Sequence, residues 1–222
     1  MERKIKMFRI REMITISDYI TMVNIVLGML ALVFHDFRCI YLALVFDALD
    51  GYIARKTNTV TDFGAQLDSI SDVVSFGVAP SYLLYYYFGG IWSLVVSIIF
   101  LLCGALRLAR FNIMNVRDFV GLPIPAGALF LSTSCEMFLK YGEMLGLHHQ
   151  DVIISILGVL IGLLMISGIV YPKYPGRWTL AVFGISLLLS LFNIPEGLFI
   201  CVLCYTLYGL LRGQNLTNWI RW

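Results

Sequence analysis

Four aspartates stand at helical spacing in a chain that otherwise avoids charge: Asp47 and Asp50 are three apart, Asp68 and Asp72 four apart. On a helix the first pair is separated by about 60° and the second by about 40°, so each pair forms one acidic edge. Gly64 continues the second edge one turn earlier. The stretch from Thr57 to Phe63 reads as a polar turn between two helices. Antiparallel packing of those helices brings all four carboxylates together just inside an apolar layer. An aspartate at the centre of a membrane helix costs about 2.5–3.5 kcal/mol, and four clustered carboxylates repel one another. Hard divalent cations with oxygen ligands are the natural compensation. Two such ions can clamp a diphosphate and polarise it for in-line displacement. Gly51 lets a substrate or a backbone approach closely, and Arg55, one turn further on, offers a planar cation that matches phosphate.

The elements that must hold these groups follow from composition. The 222 residues are 59% hydrophobic and 14% charged, against about 25% charged in a soluble domain, and the mean hydropathy is +0.85. Apolar stretches long enough to span a bilayer recur along nearly the whole chain. The expected architecture is all-α: a polytopic membrane helix bundle of eight spans near 17–35, 38–56, 64–88, 91–112, 123–141, 151–170, 178–192 and 194–212. Before them, Arg3, Lys4, Lys6, Arg9 and Arg11 interleave with Ile5, Met7, Phe8 and Ile10, which predicts an amphipathic interfacial helix rather than a secretory signal peptide. The organisation is therefore an N-terminal segment (1–16), a six-helix core (17–170) and two further helices with a short tail (171–222). With the N-terminus in the cytoplasm, all of the 16 Lys and Arg except Arg38 and Lys140 fall on the cytoplasmic side, as the positive-inside rule requires. An odd number of spans breaks that pattern. A multi-pass cell-membrane protein is expected, with both termini and the acidic hairpin facing the cytoplasm and no nucleic acid among its partners.

The segment 46–81 resembles the signature of the CDP-alcohol phosphotransferase family, D-x2-D-G-x2-A-R-x8-G-x3-D-x3-D. Asp47, Asp50, Gly51, Ala54, Arg55, Gly64, Asp68 and Asp72 meet every position without a gap. The resemblance implies that Asp47, Asp50 and Asp68 bind metal, and that Asp72 binds metal or deprotonates the acceptor hydroxyl. It also implies two divalent cations, Mg²⁺ or Mn²⁺, and a CDP site lined by Asp50, Gly51, Ala54, Arg55 and Gly64. A homodimer is implied as well, and Gly104, Ala105, Gly127 and Ala128 are small residues that permit close helix packing. Asn24, on the inward face of the first span, is a further candidate for contact with the nucleotide.

Three more segments, DSISDVVSFGVAP at 68–80, LRLARFN at 106–112 and GLPIPA at 121–126, with TMVNIVLG at 21–28, resemble the phosphatidylserine synthase branch. That branch implies a CDP-diacylglycerol-type lipid, or an archaeal ether equivalent, and L-serine as substrates. Arg107 and Arg110 lie at the depth of the aspartates and are candidates for the serine carboxylate or a lipid phosphate, with Asn112 beside them. Arginines there can equally snorkel to lipid headgroups. Glycerol 3-phosphate or an inositol phosphate also calls for cations, so the acceptor stays open at this point. A divalent-cation transporter is the reading from another class, because intramembrane aspartates also mark ion paths. Glu136, His148 and His149 read as outer-side polar residues, and Tyr85, Tyr86, Tyr87 and Trp92 as an aromatic belt. Cys201 and Cys204 form a C-x-x-C inside an apolar helix with no companion ligands.

Overall fold

The computed structural model of the protein describes residues 10–113, 119–146, 149–171 and 176–216. The expected interfacial helix falls almost wholly outside them, with only the single turn Ile10–Met13 described, and His148 lies outside as well. Among the described residues nine α-helices follow that turn: α1 (Ile16–Phe34), α2 (Phe37–Thr57), α3 (Asp62–Asp72), α4 (Ala79–Phe88), α5 (Gly90–Ile113), α6 (Ile124–Tyr141), α7 (Gln150–Ile166), α8 (Arg177–Ser190) and α9 (Glu196–Leu216). A π-helical turn, Val73–Val78, joins α3 and α4 into one rod, the third predicted span.

Local chemistry sets the ends. Thr15 caps α1 reciprocally with Asp18, whose Oδ2 accepts from the Thr15 N–H at 2.6 Å and the Thr15 hydroxyl at 3.0 Å, a capping box. Asp36 starts α2 by accepting from the Arg38 N–H. Asn58 ends it in the left-handed region at φ 53°, a conformation asparagine tolerates. Thr61 then caps α3 by accepting from the Gly64 N–H at 3.0 Å. These two caps shorten the expected seven-residue turn to residues 58–61, because both helices wind further toward each other than polarity alone indicates.

The sixth span ends earlier than expected, at Ile166 rather than 170. Two-residue strands take over there: β1 (Phe119–Val120) pairs antiparallel with β2 (Val170–Tyr171), Phe119 opposite Tyr171. Gly121 N–H donates to Ile169 O and Leu122 N–H to Leu164 O, so the chain after α7 is held by the loop before α6.

The bundle turns many large apolar side chains outward around a core that is itself apolar with small and polar residues mixed in. The buried face of α1 carries Ser17, Asp18, Thr21, Asn24, Gly28 and Ala31, while Val23, Val26, Met29 and Val33 point outward. On α5, Ser93, Ser97, Gly104 and Arg107 are buried, and Trp92, Ile98, Leu102 and Leu106 are exposed. Small and polar residues on the inner faces, with large apolar residues on the outer ones as well as in the core, is the pattern of helices packed in lipid. By length and composition, α1 and α5 are each able to cross a membrane. Tyr85, Tyr86, Tyr87 and Trp92 are exposed at the end of α4 and the start of α5. Two small residues that offered close packing between copies are used within the chain: a Cβ on Gly104 would sit 2.8 Å from Ile124 Cδ1, and one on Gly127 would enter the Met165 side chain.

Candidate active site

The short turn between α2 and α3 returns the chain so that the two acidic edges face each other. Oxygens of Asp47, Asp50 and Asp68 all lie within 4.8 Å of one another. Asp72 completes the group, since the Asp47 carboxyl interacts with those of both Asp68 and Asp72. Asp50 and Asp72 are buried, and Asp47 and Asp68 half-buried.

One oxygen each of Asp68 and Asp72 is buried without a hydrogen-bond partner. Buried carboxylates with neither donor nor cation are costly. A divalent ion with oxygen ligands satisfies these orphaned atoms and the mutual repulsion together, so the donor set fits a metal.

α1 supplies a group that spacing did not reveal. Thr21 Oγ1 donates to Asp50 Oδ2 at 2.6 Å, and both residues are buried. The same helix is bonded to the third rod: Ser71 Oγ donates to Thr21 O, and Ser75 Oγ to Asn24 O at 2.8 Å. Asn24 is fully buried one turn deeper than Thr21, and both its amide atoms lack partners. A Cβ on Gly64 would stand 2.8 Å from Asp18 Oδ1 and 3.2 Å from Thr61 Oγ1. Its missing side chain therefore seats α3 against the α1 cap. At Gly51 the nearest neighbour is the Arg55 guanidinium, 3.2 Å from where a Cβ would be, so Arg55 folds back over the glycine beside Asp50. Ala54 is half-buried on the same helix.

The two arginines of α5 have different occupations. Arg107 is 4% exposed and its Nε has no partner. Its guanidinium lies 5.1 Å from the Phe111 ring and 5.5 Å from the Phe119 ring, and it is within electrostatic reach of Asp72. The ion pairs among the described residues are Asp36–Arg38 and Lys140–Glu196, so Arg107 touches no carboxylate there. Arg110 instead donates to three carbonyls, Ile166 O and Met165 O at 3.0 Å and Val120 O at 2.6 Å. It ties the end of α5 to α7 and β1. Asn112 exchanges hydrogen bonds with Ser69, next to Asp68, linking α5 to α3.

At the opposite end, a cleft of about 470 Å³ is lined by His35, Asp36, Arg38, Tyr87, Glu136 and Lys140 among others. There Glu136 accepts from the buried Tyr41 hydroxyl at 2.5 Å.

A sequence model described as CDP-alcohol phosphatidyltransferase matches residues 13–208. The CDP-diacylglycerol–serine O-phosphatidyltransferase of Methanocaldococcus jannaschii is 55% identical over 93% of this chain and 98% of its own length. An enzyme of the same name from Helicobacter pylori is 40% identical over 77% of this chain and 76% of its own. The archaetidylserine synthase of Methanothermobacter thermautotrophicus is 36% identical over 76% and 74%.

Proposed function

The chain belongs to the CDP-alcohol phosphatidyltransferase family, and from that membership we propose that it moves the phosphatidyl group of a CDP-diacylglycerol-type lipid, ester- or ether-linked, onto the hydroxyl of L-serine, releasing CMP. The observation that carries serine is Arg107, a buried guanidinium beside Asp72 that touches no carboxylate among the described residues. Burying a lone cation is unfavourable unless an anion joins it, and the acceptor carboxylate is that anion. The names of the relatives agree.

Asp47, Asp50, Asp68 and Asp72 would hold two divalent cations, Mg²⁺ or Mn²⁺, which when bound neutralise the pyrophosphate and polarise it for displacement. Thr21 fixes the rotamer of Asp50. Arg55, folded over Gly51, would meet the diphosphate, and Asn24, Ala54 and Gly64 would border the nucleotide. Asp72 takes the proton from the serine hydroxyl. The serine oxygen forms a bond to the lipid-side phosphorus as the bond from that phosphorus to the CMP oxygen breaks. Arg107 holds the serine carboxylate so that the hydroxyl points at Asp72, a gain in orientation rather than in acidity.

The enzyme crosses the cell membrane eight times with both termini and the carboxylates on the cytoplasmic side. Residues 17–170 form the catalytic core, residues 171–222 are added to it, and the working unit is a homodimer. Glycerol 3-phosphate or an inositol phosphate would also bring an anion to Arg107. Offering purified protein CDP-lipid with each alcohol and following CMP release separates them: release with serine is expected, and release with another alcohol alone overturns the reading. Asp72→Asn should abolish turnover while CDP-lipid binding persists; near-normal turnover in that variant would remove Asp72 as the base.

A further inference from the structure

Near Arg107 stand groups from the C-terminal part of the chain, on β2 and α9. Tyr171, on β2, is fully buried and its hydroxyl has no hydrogen-bond partner. Its ring lies 5.7 Å from that of Tyr205 on α9. Tyr205 is within electrostatic reach of both Tyr171 and Arg107. Gly209, one turn beyond Tyr205, makes the approach possible, because a Cβ there would enter the Tyr171 ring.

Phe119 stands opposite Tyr171 in the β1–β2 pair and has the Arg107 guanidinium 5.5 Å from its ring, so two buried polar atoms without partners, Arg107 Nε and the Tyr171 hydroxyl, occur in one neighbourhood. An unpartnered buried hydroxyl costs free energy that phenylalanine in the same place avoids. Packing accounts for the Tyr171 ring and leaves its oxygen unexplained. A ligand carboxylate accounts for it, since such a group accepts several hydrogen bonds at once.

We propose that Tyr171 lines the acceptor side of the site with Arg107, donating to the acceptor carboxylate, so that β2 carries part of the serine-binding surface, with Tyr205 of α9 packed against its ring. This inference rests on serine being the acceptor. It makes Tyr171 a specificity determinant: it binds a group of serine that does not react, while Asp72 handles the hydroxyl that does.

The test uses the full-length enzyme as wild type and Tyr171→Phe. CMP release is followed at varied serine, at varied CDP-lipid, and with ethanolamine, which lacks the carboxylate. Losing a hydrogen bond to a charged group should raise the serine KM about tenfold in the variant. The CDP-lipid KM should stay unchanged, and the preference for serine over ethanolamine should fall by the same factor. KM and this preference do not depend on how much of a preparation is folded, so partial misfolding does not mask the result. A Tyr171→Phe enzyme with wild-type serine KM and wild-type preference overturns the inference alone, as does an equal rise in both KM values. A wild-type enzyme that ignores serine and uses another alcohol overturns the serine reading and this inference with it.

Discussion

Replacing Thr21 with valine removes one oxygen and keeps the shape, so its effect isolates a single hydrogen bond. In the native protein Thr21 Oγ1 donates to Asp50 Oδ2 at 2.6 Å, with Thr21 3% and Asp50 5% exposed. Neither group has water to fall back on. A hydrogen bond to a charged partner contributes about 1.5–3 kcal/mol, and about 1.4 kcal/mol corresponds to tenfold in an equilibrium constant. The loss is therefore roughly ten- to a hundredfold, the range found when an outer partner of a metal ligand is removed. It should fall on metal affinity, because Asp50 keeps its charge and loses its fixed orientation. The assay is CMP release titrated with Mg²⁺ or Mn²⁺. In Thr21→Val the midpoint should rise by that factor, and saturating metal should restore most of the maximal rate. Thr21→Ser, which keeps the donor, should remain near wild type. A valine variant with the wild-type midpoint would refute the reasoning, and so would a loss of maximal rate that added metal does not recover.

Two further substitutions probe the frame around the site. Gly28→Ala would put a Cβ 2.5 Å from Ser75 Oγ and 2.9 Å from Ser75 Cα, so it should cost about 1–3 kcal/mol by overpacking and lower the melting temperature in detergent. Gly168→Ala, with nothing within 4 Å of the new atom, should change it little. Arg110→Met removes the donors to Ile166, Met165 and Val120; at about 0.5–1.5 kcal/mol per bond, stability should fall by roughly 2 kcal/mol or more while the serine KM holds. A raised serine KM with unchanged melting would return Arg110 to the substrate.

Hydropathy and spacing made the helices and the acidic hairpin legible, because lipid-spanning length and the 3.6-residue period are both written along one stretch of chain. The acidic signature belongs to two consecutive helices joined by a tight turn, so sequence distance and spatial distance agree there. Thr21 escaped for the opposite reason. It reaches the site from a helix remote in sequence, and a threonine in an apolar span announces no partner. Arg107 and Arg110 show the limit of periodicity: three residues apart they share a helix face, but about 60° of rotation sends one toward Asp72 and the other to the carbonyls at the end of α7. The β1–β2 pair was illegible, since two residues carry no alternation to read. Gly64 and Gly51 were found as positions needing little bulk, but the neighbours that need the room are Asp18 and Arg55.

The bonds that Thr21, Ser71 and Ser75 make between α1 and its neighbours bear on how the protein meets membranes of different thickness. They cross between helices at successive heights, like rungs, and each fixes how far one rod can slide along another. A bilayer thicker or thinner than the apolar band must then be met by tilting the bundle as a body or by deforming the lipid. Sliding α1 past the third rod would break two buried bonds at once. The depth of the carboxylates relative to one another is thus kept by the protein, and only their depth relative to the lipid is left to the membrane.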